Sequence, residues 1–154
     1  MNADIITNLG YRDAPVAIRF LVDAFGFEEL AVYEGKSEGS IGHADLRWPA
    51  GGVVSVHSNE RNGSSVADLA ARAAAAGGYP GFSVHVNVPY PEDMFERAVA
   101  AGARVVREVQ ASPVGTRGFV VSDPEGLYWS FGTRLPRLAR DEHGEWRPVE
   151  ASRS

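Results

Sequence analysis

With 154 residues the chain can bury a real core as one domain and is too short for two ordinary ones. Twenty acidic against 15 basic residues give a net charge of −5, and no Lys/Arg cluster stands before the last twenty positions, which argues against nucleic acid or an anionic membrane as partner. Cysteine is absent, so disulfides, thiolate metal sites and a cysteine nucleophile are excluded.

Taken from the N-terminus, Met1-Asn2-Ala3-Asp4 has no basic leader segment. No stretch approaches the about 18 apolar residues of a membrane span, so the expected compartment is the cytoplasm. A short apolar strand is expected over Ile5–Leu9. Asp13 then offers an N-cap with Pro15 just inside a helix, Ile18, Leu21, Val22 and Phe25 recur at helical spacing, and Gly26 supplies the stop. Three strands follow at Glu28–Tyr33, Ile41–Trp48 and Val53–His57, the last two joined by the turn Pro49-Ala50-Gly51-Gly52. Asn59–Pro80 reads as a Gly/Ser/Ala-rich linker, in which Val66–Ala76 is either a short helix stopped by Gly77-Gly78 or a flexible connector.

The second half repeats the scheme. Phe82–Val88 alternates polar and apolar; Pro91, Glu92 and Asp93 suit a helix first turn; Phe95, Ala98 and Val99 form its stripe, and Gly102 ends it. Strands are expected at Arg104–Val109, Gly118–Ser122 and Leu127–Gly132, with the turn Asp123-Pro124-Glu125-Gly126 before the last. Setting Pro49 on Pro124 puts Gly51 on Gly126 and Ser55 on Ser130. The fold class read from this is α+β, one βαβββ unit occurring twice: module 1 over 4–58, linker 59–80, module 2 over 81–133, and a polar, loosely packed tail over 134–154 with an isolated Trp146.

Particular stretches resemble a known superfamily. Asp13-Ala14-Pro15, leading through Ala17-Ile18-Arg19-Phe20-Leu21 to Ala24-Phe25-Gly26-Phe27, is similar to its first-helix signature, and Ala100-Ala101-Gly102-Ala103 closes the second helix in the same manner. Phe119 to Gly126, running into Trp129-Ser130-Phe131-Gly132, resembles its best-known motif. The family is the vicinal oxygen chelate superfamily of glyoxalases, bleomycin-resistance proteins and dioxygenases, and the match spans about residues 4–133. The resemblance implies paired modules whose sheets curl around a cavity, assembled as a homodimer. Its members include metal-dependent enzymes and metal-free proteins that sequester antibiotics, so activity does not follow from fold.

Metal-using relatives take ligands from the first and last strands of each module. The helix stops and Pro-x-Gly turns place Ile6, Ser55, Ser83 and Ser130 there, with Ile6 and Ser83 uncertain by one residue. Isoleucine cannot ligate and a neutral hydroxyl is a poor ligand for zinc or iron, so no metal and no other cofactor is expected. Strand parity then fills the groove: His57 beside Ser55, His85 and Asn87 beside Ser83, and Tyr128 and Gly132 beside Ser130. Val54, Val56, Val84, Val86, Val88, Trp129 and Phe131 fall on the opposite faces, which suits packing under helices.

The expected ligand-contacting residues are thus Ser55, His57, Ser83, His85, Asn87, Arg117, Tyr128 and Ser130. His57 and His85 are the candidates for general acid–base work, set against hydrogen-bonding or purely structural roles. A displaced metal triad of His43, His57 and His85, with Asp45 beside it, is the alternative. Arg117 is read either as a partner for an anionic ligand group or as a solvated surface arginine. Trp48 reads as core, and Tyr128 as the better stacking surface. The functional expectation is metal-independent binding of a small organic molecule, an aromatic one among the candidates, in the way of the sequestering relatives. Its alternatives are an enzyme of the glyoxalase or dioxygenase type using displaced histidine ligands or metal-free acid–base chemistry, and a structural or regulatory dimer with no small ligand.

Overall fold

A computed structural model describes residues 5–59, 75, 77, 82–113, 115–134 and 138–148. The expected helix Val66–Ala76, like most of the linker, lies outside the described residues. The chain begins with β1 (Thr7–Tyr11) and α1 (Ala14–Phe20), whose last turn widens into a π-helical segment, Leu21–Phe25. Asp13 caps α1 by accepting the Val16 N–H at 3.1 Å, and Gly26 ends it at φ +86°, a backbone angle that side chains oppose. Then come β2 (Glu28–Glu34), β3 (Ile41–Arg47) and β4 (Val53–Ser58). The second module supplies β5 (Val84–Asn87), α2 (Pro91–Ala100), β6 (Arg104–Ala111), β7 (Arg117–Ser122) and β8 (Tyr128–Gly132).

The two modules make two four-stranded sheets of identical topology, β1-β4-β3-β2 and β5-β8-β7-β6. In each, the first strand runs parallel to the last and the other pairs are antiparallel. This is the expected duplicated βαβββ unit.

One face of each sheet is apolar, and both apolar faces share a single core with the helices. Leu9, Leu46 and Val56 come from the first sheet, Val86, Phe119, Trp129 and Phe131 from the second, and Leu21 and Phe25 from the helical segment. The Phe25 ring lies 5.1 Å from Trp129 and 4.8 Å from Phe131, centroid to centroid, so the helix of module 1 packs directly on the sheet of module 2. Arg97 of α2 answers from the other side, donating to the carbonyls of Asp23 and Val22 at the helix end, the latter shared with the Gly26 N–H. Buried Asp123 ties the modules again: it accepts the Tyr11 hydroxyl (2.7 Å), the Trp129 indole N–H (3.1 Å) and two backbone N–H groups of its own turn.

The expected elements need one correction. The first strand lies two residues later than Ile5–Leu9, because Ile5 is 89% exposed while Leu9 and Tyr11 are the residues that enter the core. Within the tail, expected only as polar and loosely packed, an unanticipated antiparallel hairpin is formed by β9 (Leu138–Arg140) and β10 (Trp146–Pro148). Its turn is held by the Asp141 carboxylate, which accepts the N–H groups of His143 and Glu145 at 2.9 Å, and by Gly144 at φ +79°.

Candidate functional site

Register fixes which polar side chains meet. In the first sheet Asn8 pairs with Ser55 and Ser55 with Asp45; in the second, His85 pairs with Ser130 and Ser130 with Val120. Side chains on adjacent strands can share a ligand only at the same level of one face. The matched positions of the first and last strands are therefore Asn8 with Ser55, and His85 with Ser130. That corrects Ile6 and Ser83, both two residues off: Ile6 precedes β1, and Ser83 is an exposed residue preceding β5.

The polar face of the first sheet is closed on itself. Ser55 is 2% exposed, and its hydroxyl donates to Asp45 Oδ1 at 2.5 Å; His43 Nε2 lies 3.0 Å from the same oxygen. Desolvation pushes the Asp45 carboxyl up. The hydrogen bonds from Ser55 and His43, with the charges of His43 and His57, outweigh it and hold the group below the usual carboxylate value. The His57 ring meets that of His43 edge-on at 5.1 Å and donates from Nδ1 to the Gly42 carbonyl at 2.9 Å. Ser55, expected in the groove, is thus buried with its hydroxyl engaged by Asp45.

The second sheet is open at the same place. The positions that match His43 and His57 are Gly118 and Gly132, which pair with each other across β7 and β8. A Cβ on Gly118 would come within 2.6 Å of the Phe131 carbonyl oxygen, so the strands approach too closely there for any side chain. The two glycines floor a cavity of about 450 Å³, walled by His85, Ser130, Arg107, Gln110, Thr116 and Arg117. His85 Nδ1 sits 2.7 Å from the Ser130 hydroxyl oxygen, which directs the other ring nitrogen away from that bond. Arg117 is engaged by Glu92 in the first turn of α2, through Nε at 2.8 Å and Nη2 at 2.5 Å on one carboxylate oxygen.

Of the expected contacts, His85, Ser130 and Arg117 thus line one cavity. His57 and Ser55 line neither this cavity nor the smaller one of about 260 Å³ beside it, which takes in His85 and Asn87 with Thr7 and Trp48. Tyr128 shares the face by parity but stands exposed beyond the cavity rim. Trp48 packs edge-on against Phe27 at 5.4 Å, the core role expected of it. Residues not anticipated are Asn8, Arg107, Gln110 and Gly118; the signal for the last was the absent side chain between Arg117 and Phe119, where both neighbours are bulky.

These facts bear on a family metal. The matched set Asn8, Ser55, His85 and Ser130 offers one imidazole, one amide and two neutral hydroxyls, and both hydroxyls are occupied by Asp45 or His85. That donor set does not fit zinc or iron. The displaced triad fares no better within the chain: His43 and His57 are neighbours, but His85 belongs to the other sheet, and the described residues contain no group of three His, Asp or Glu side chains placed to hold a metal.

A family model described as the Glyoxalase/Bleomycin resistance protein/Dioxygenase superfamily matches residues 6–131. The chain belongs to that superfamily. It is 33% identical over 130 residues to an uncharacterised protein of Mycobacterium bovis, covering 84% of this chain and 82% of the relative. The crystal structure of TioX from Micromonospora sp. ML1 is 33% identical, covers 87% of this chain and 100% of its own, and superposes with a TM-score of 0.65. A glyoxalase-related enzyme from Fulvimarina pelagi, at 19% identity and a TM-score of 0.61 over 96% of this chain and 98% of its own, shares the superfamily fold. No described helix is long and apolar enough to cross a membrane.

Proposed function

We propose that the chain is a metal-independent member of the superfamily that binds a small, flat organic molecule on the face of its second sheet. One observation carries the reading: at matched positions His43 and His57 fill the polar face of the first sheet, whereas Gly118 and Gly132 leave that of the second open. The cavity this leaves is in the size range of small-molecule sites, and a bare glycine floor suits a planar group lying against the strands. His85, Ser130 and Thr116 supply donors and acceptors at its wall.

The test is a thermal-shift screen of planar aromatic compounds on the wild type and on Gln110→Trp, which fills the cavity from an exposed edge-strand position. A ligand at 100 times its Kd adds about 2.7 kcal/mol of stability. Hits are expected with the wild type and not with the variant; equal responses would put binding elsewhere and overturn the reading. Elemental analysis of protein purified without chelator is expected to show no stoichiometric zinc, iron, nickel or manganese, and about one per chain would overturn metal independence.

A second reading has one observation in its favour. Ser130 fixes His85 through Nδ1, and Nε2 has no partner among the described residues, the arrangement of an imidazole poised for acid–base work on a bound molecule. It predicts that mass spectrometry of hit compounds incubated with the protein finds a converted product that His85→Ala does not make. Recovery of every hit unchanged removes this reading and leaves binding in place.

A further inference from the structure

The cavity on the second sheet is electrostatically one-sided. The chain as a whole carries five more acidic than basic residues, yet among the described residues no Asp or Glu lines this cavity, while Arg107, Arg117 and His85 all do. The Arg107 guanidinium in a concave site, with no lining carboxylate among the described residues, favours negative charge and opposes a cation.

The two arginines are held differently. Arg107 sits on β6 opposite Val120, which is opposite Ser130, which is opposite His85, so a single row crosses the sheet from Arg107 to His85. At about 4.8 Å per strand the row spans about 14 Å, the length of a bicyclic aromatic acid with its contacts. Arg107 has no hydrogen bond or ion pair among the described residues. Arg117, by contrast, gives Nε and Nη2 to Glu92 of α2, whose carboxylate offsets its charge. A planar guanidinium with free donors matches a carboxylate, which it can grip with two parallel bonds.

Resting on the binding function proposed above, we infer that the ligand of this cavity carries an anionic group of carboxylate type, gripped by Arg107, while its apolar body lies over Gly118 and Gly132. A neutral analogue of the same shape keeps the floor contacts and loses the grip.

The experiment uses two probes of one shape, 2-naphthoate and 2-naphthamide, titrated calorimetrically into the full-length wild type, Arg107→Gln and Gln110→Trp. The wild type is expected to bind the acid at least about tenfold more tightly than the amide, the scale of a charge-assisted bond. Arg107→Gln should bring the acid to the Kd of the amide and leave the amide unchanged. Because Arg107 is exposed on an edge strand, the variant should melt as the wild type does, and Arg117→Gln, whose partner is Glu92, should leave the preference for the acid in place. Equal affinity for the two probes, with both lost in Gln110→Trp, overturns the anionic preference and spares the cavity. Binding of neither probe overturns both. An acid preference that Arg107→Gln leaves intact overturns the assignment of the grip.

Discussion

Trp129 and Ser130 follow each other along β8, and their side chains leave on opposite faces. Trp129 is fully buried against Phe25 and Phe27 with its N–H on Asp123, whereas Ser130 meets His85 at the cavity wall. Truncating Trp129 to Ala should therefore cost about 3–5 kcal/mol, as for large core aromatics, and His85→Ala less than about 1 kcal/mol. Denaturant melts of the two variants measure the difference, and equal losses would mean the faces are reversed. Asp45 gives a pH-dependent test. Its carboxyl is held below the usual value in the folded state, so the stability it contributes is present above the unfolded value of about 4 and is lost as pH falls through the lower folded one. Urea melts of the wild type and Asp45→Asn should show a gap at neutral pH that closes in strong acid. A gap that is constant across that range would remove Asp45 as its source. At this scale the histidines were legible in the sequence and their neighbours were not. His85 and Ser130 lie 45 positions apart, and only the parallel pairing of β5 with β8 decides that His85, rather than Ser83, stands opposite the serine.

Elements were readable wherever their signals were local. Asp13 before Pro15, and Gly26 after the apolar stripe, mark α1 without reference to anything distant, and both are found as cap and stop. The Asp13 carboxylate satisfies one N–H that the helix cannot, so Asp13→Ala should lower stability by about 1 kcal/mol, read as a shift in denaturant midpoint at unchanged slope. No change would show that the neighbouring Glu125 carboxylate, which accepts the N–H groups of Arg12 and Asp13, suffices to hold the helix entry. The position of β1 was not local. Ile5-Ile6 is the more apolar pair, but Leu9 and Tyr11 win the core because Leu9 lies beside Val56 of β4 and Tyr11 reaches Asp123 of the other module. The β9–β10 hairpin escaped notice for a different reason: its strands are three residues each, too short to show alternation, and its only signal is the turn Asp141-Glu142-His143-Gly144.

For the whole molecule the decisive feature is where the apolar faces went. Both sheets spend them on one internal core, so within a chain each polar face lacks a cover: His57 and Ser55 share no cavity with His85, and the described residues show no hydrogen bond between the two faces. The edge strands are left incomplete as well. On β2, Leu30 and Val32 stand 50% and 43% exposed, and on β6 Val105 and Val106 are exposed to a similar degree. Exposed apolar edges invite pairing with another chain, and two-fold symmetry gives the pairing that closes instead of growing into a filament. A second copy placed on a two-fold would cover these rims. The expected species is thus a homodimer, twice 16.5 kDa by light scattering at tens of micromolar. Val32→Asp and Val106→Asp, which put charge on the rims without touching the core, should shift the mass toward the monomer. A wild-type monomer at that concentration would sink the assembly and leave the second-sheet cavity to act within one chain.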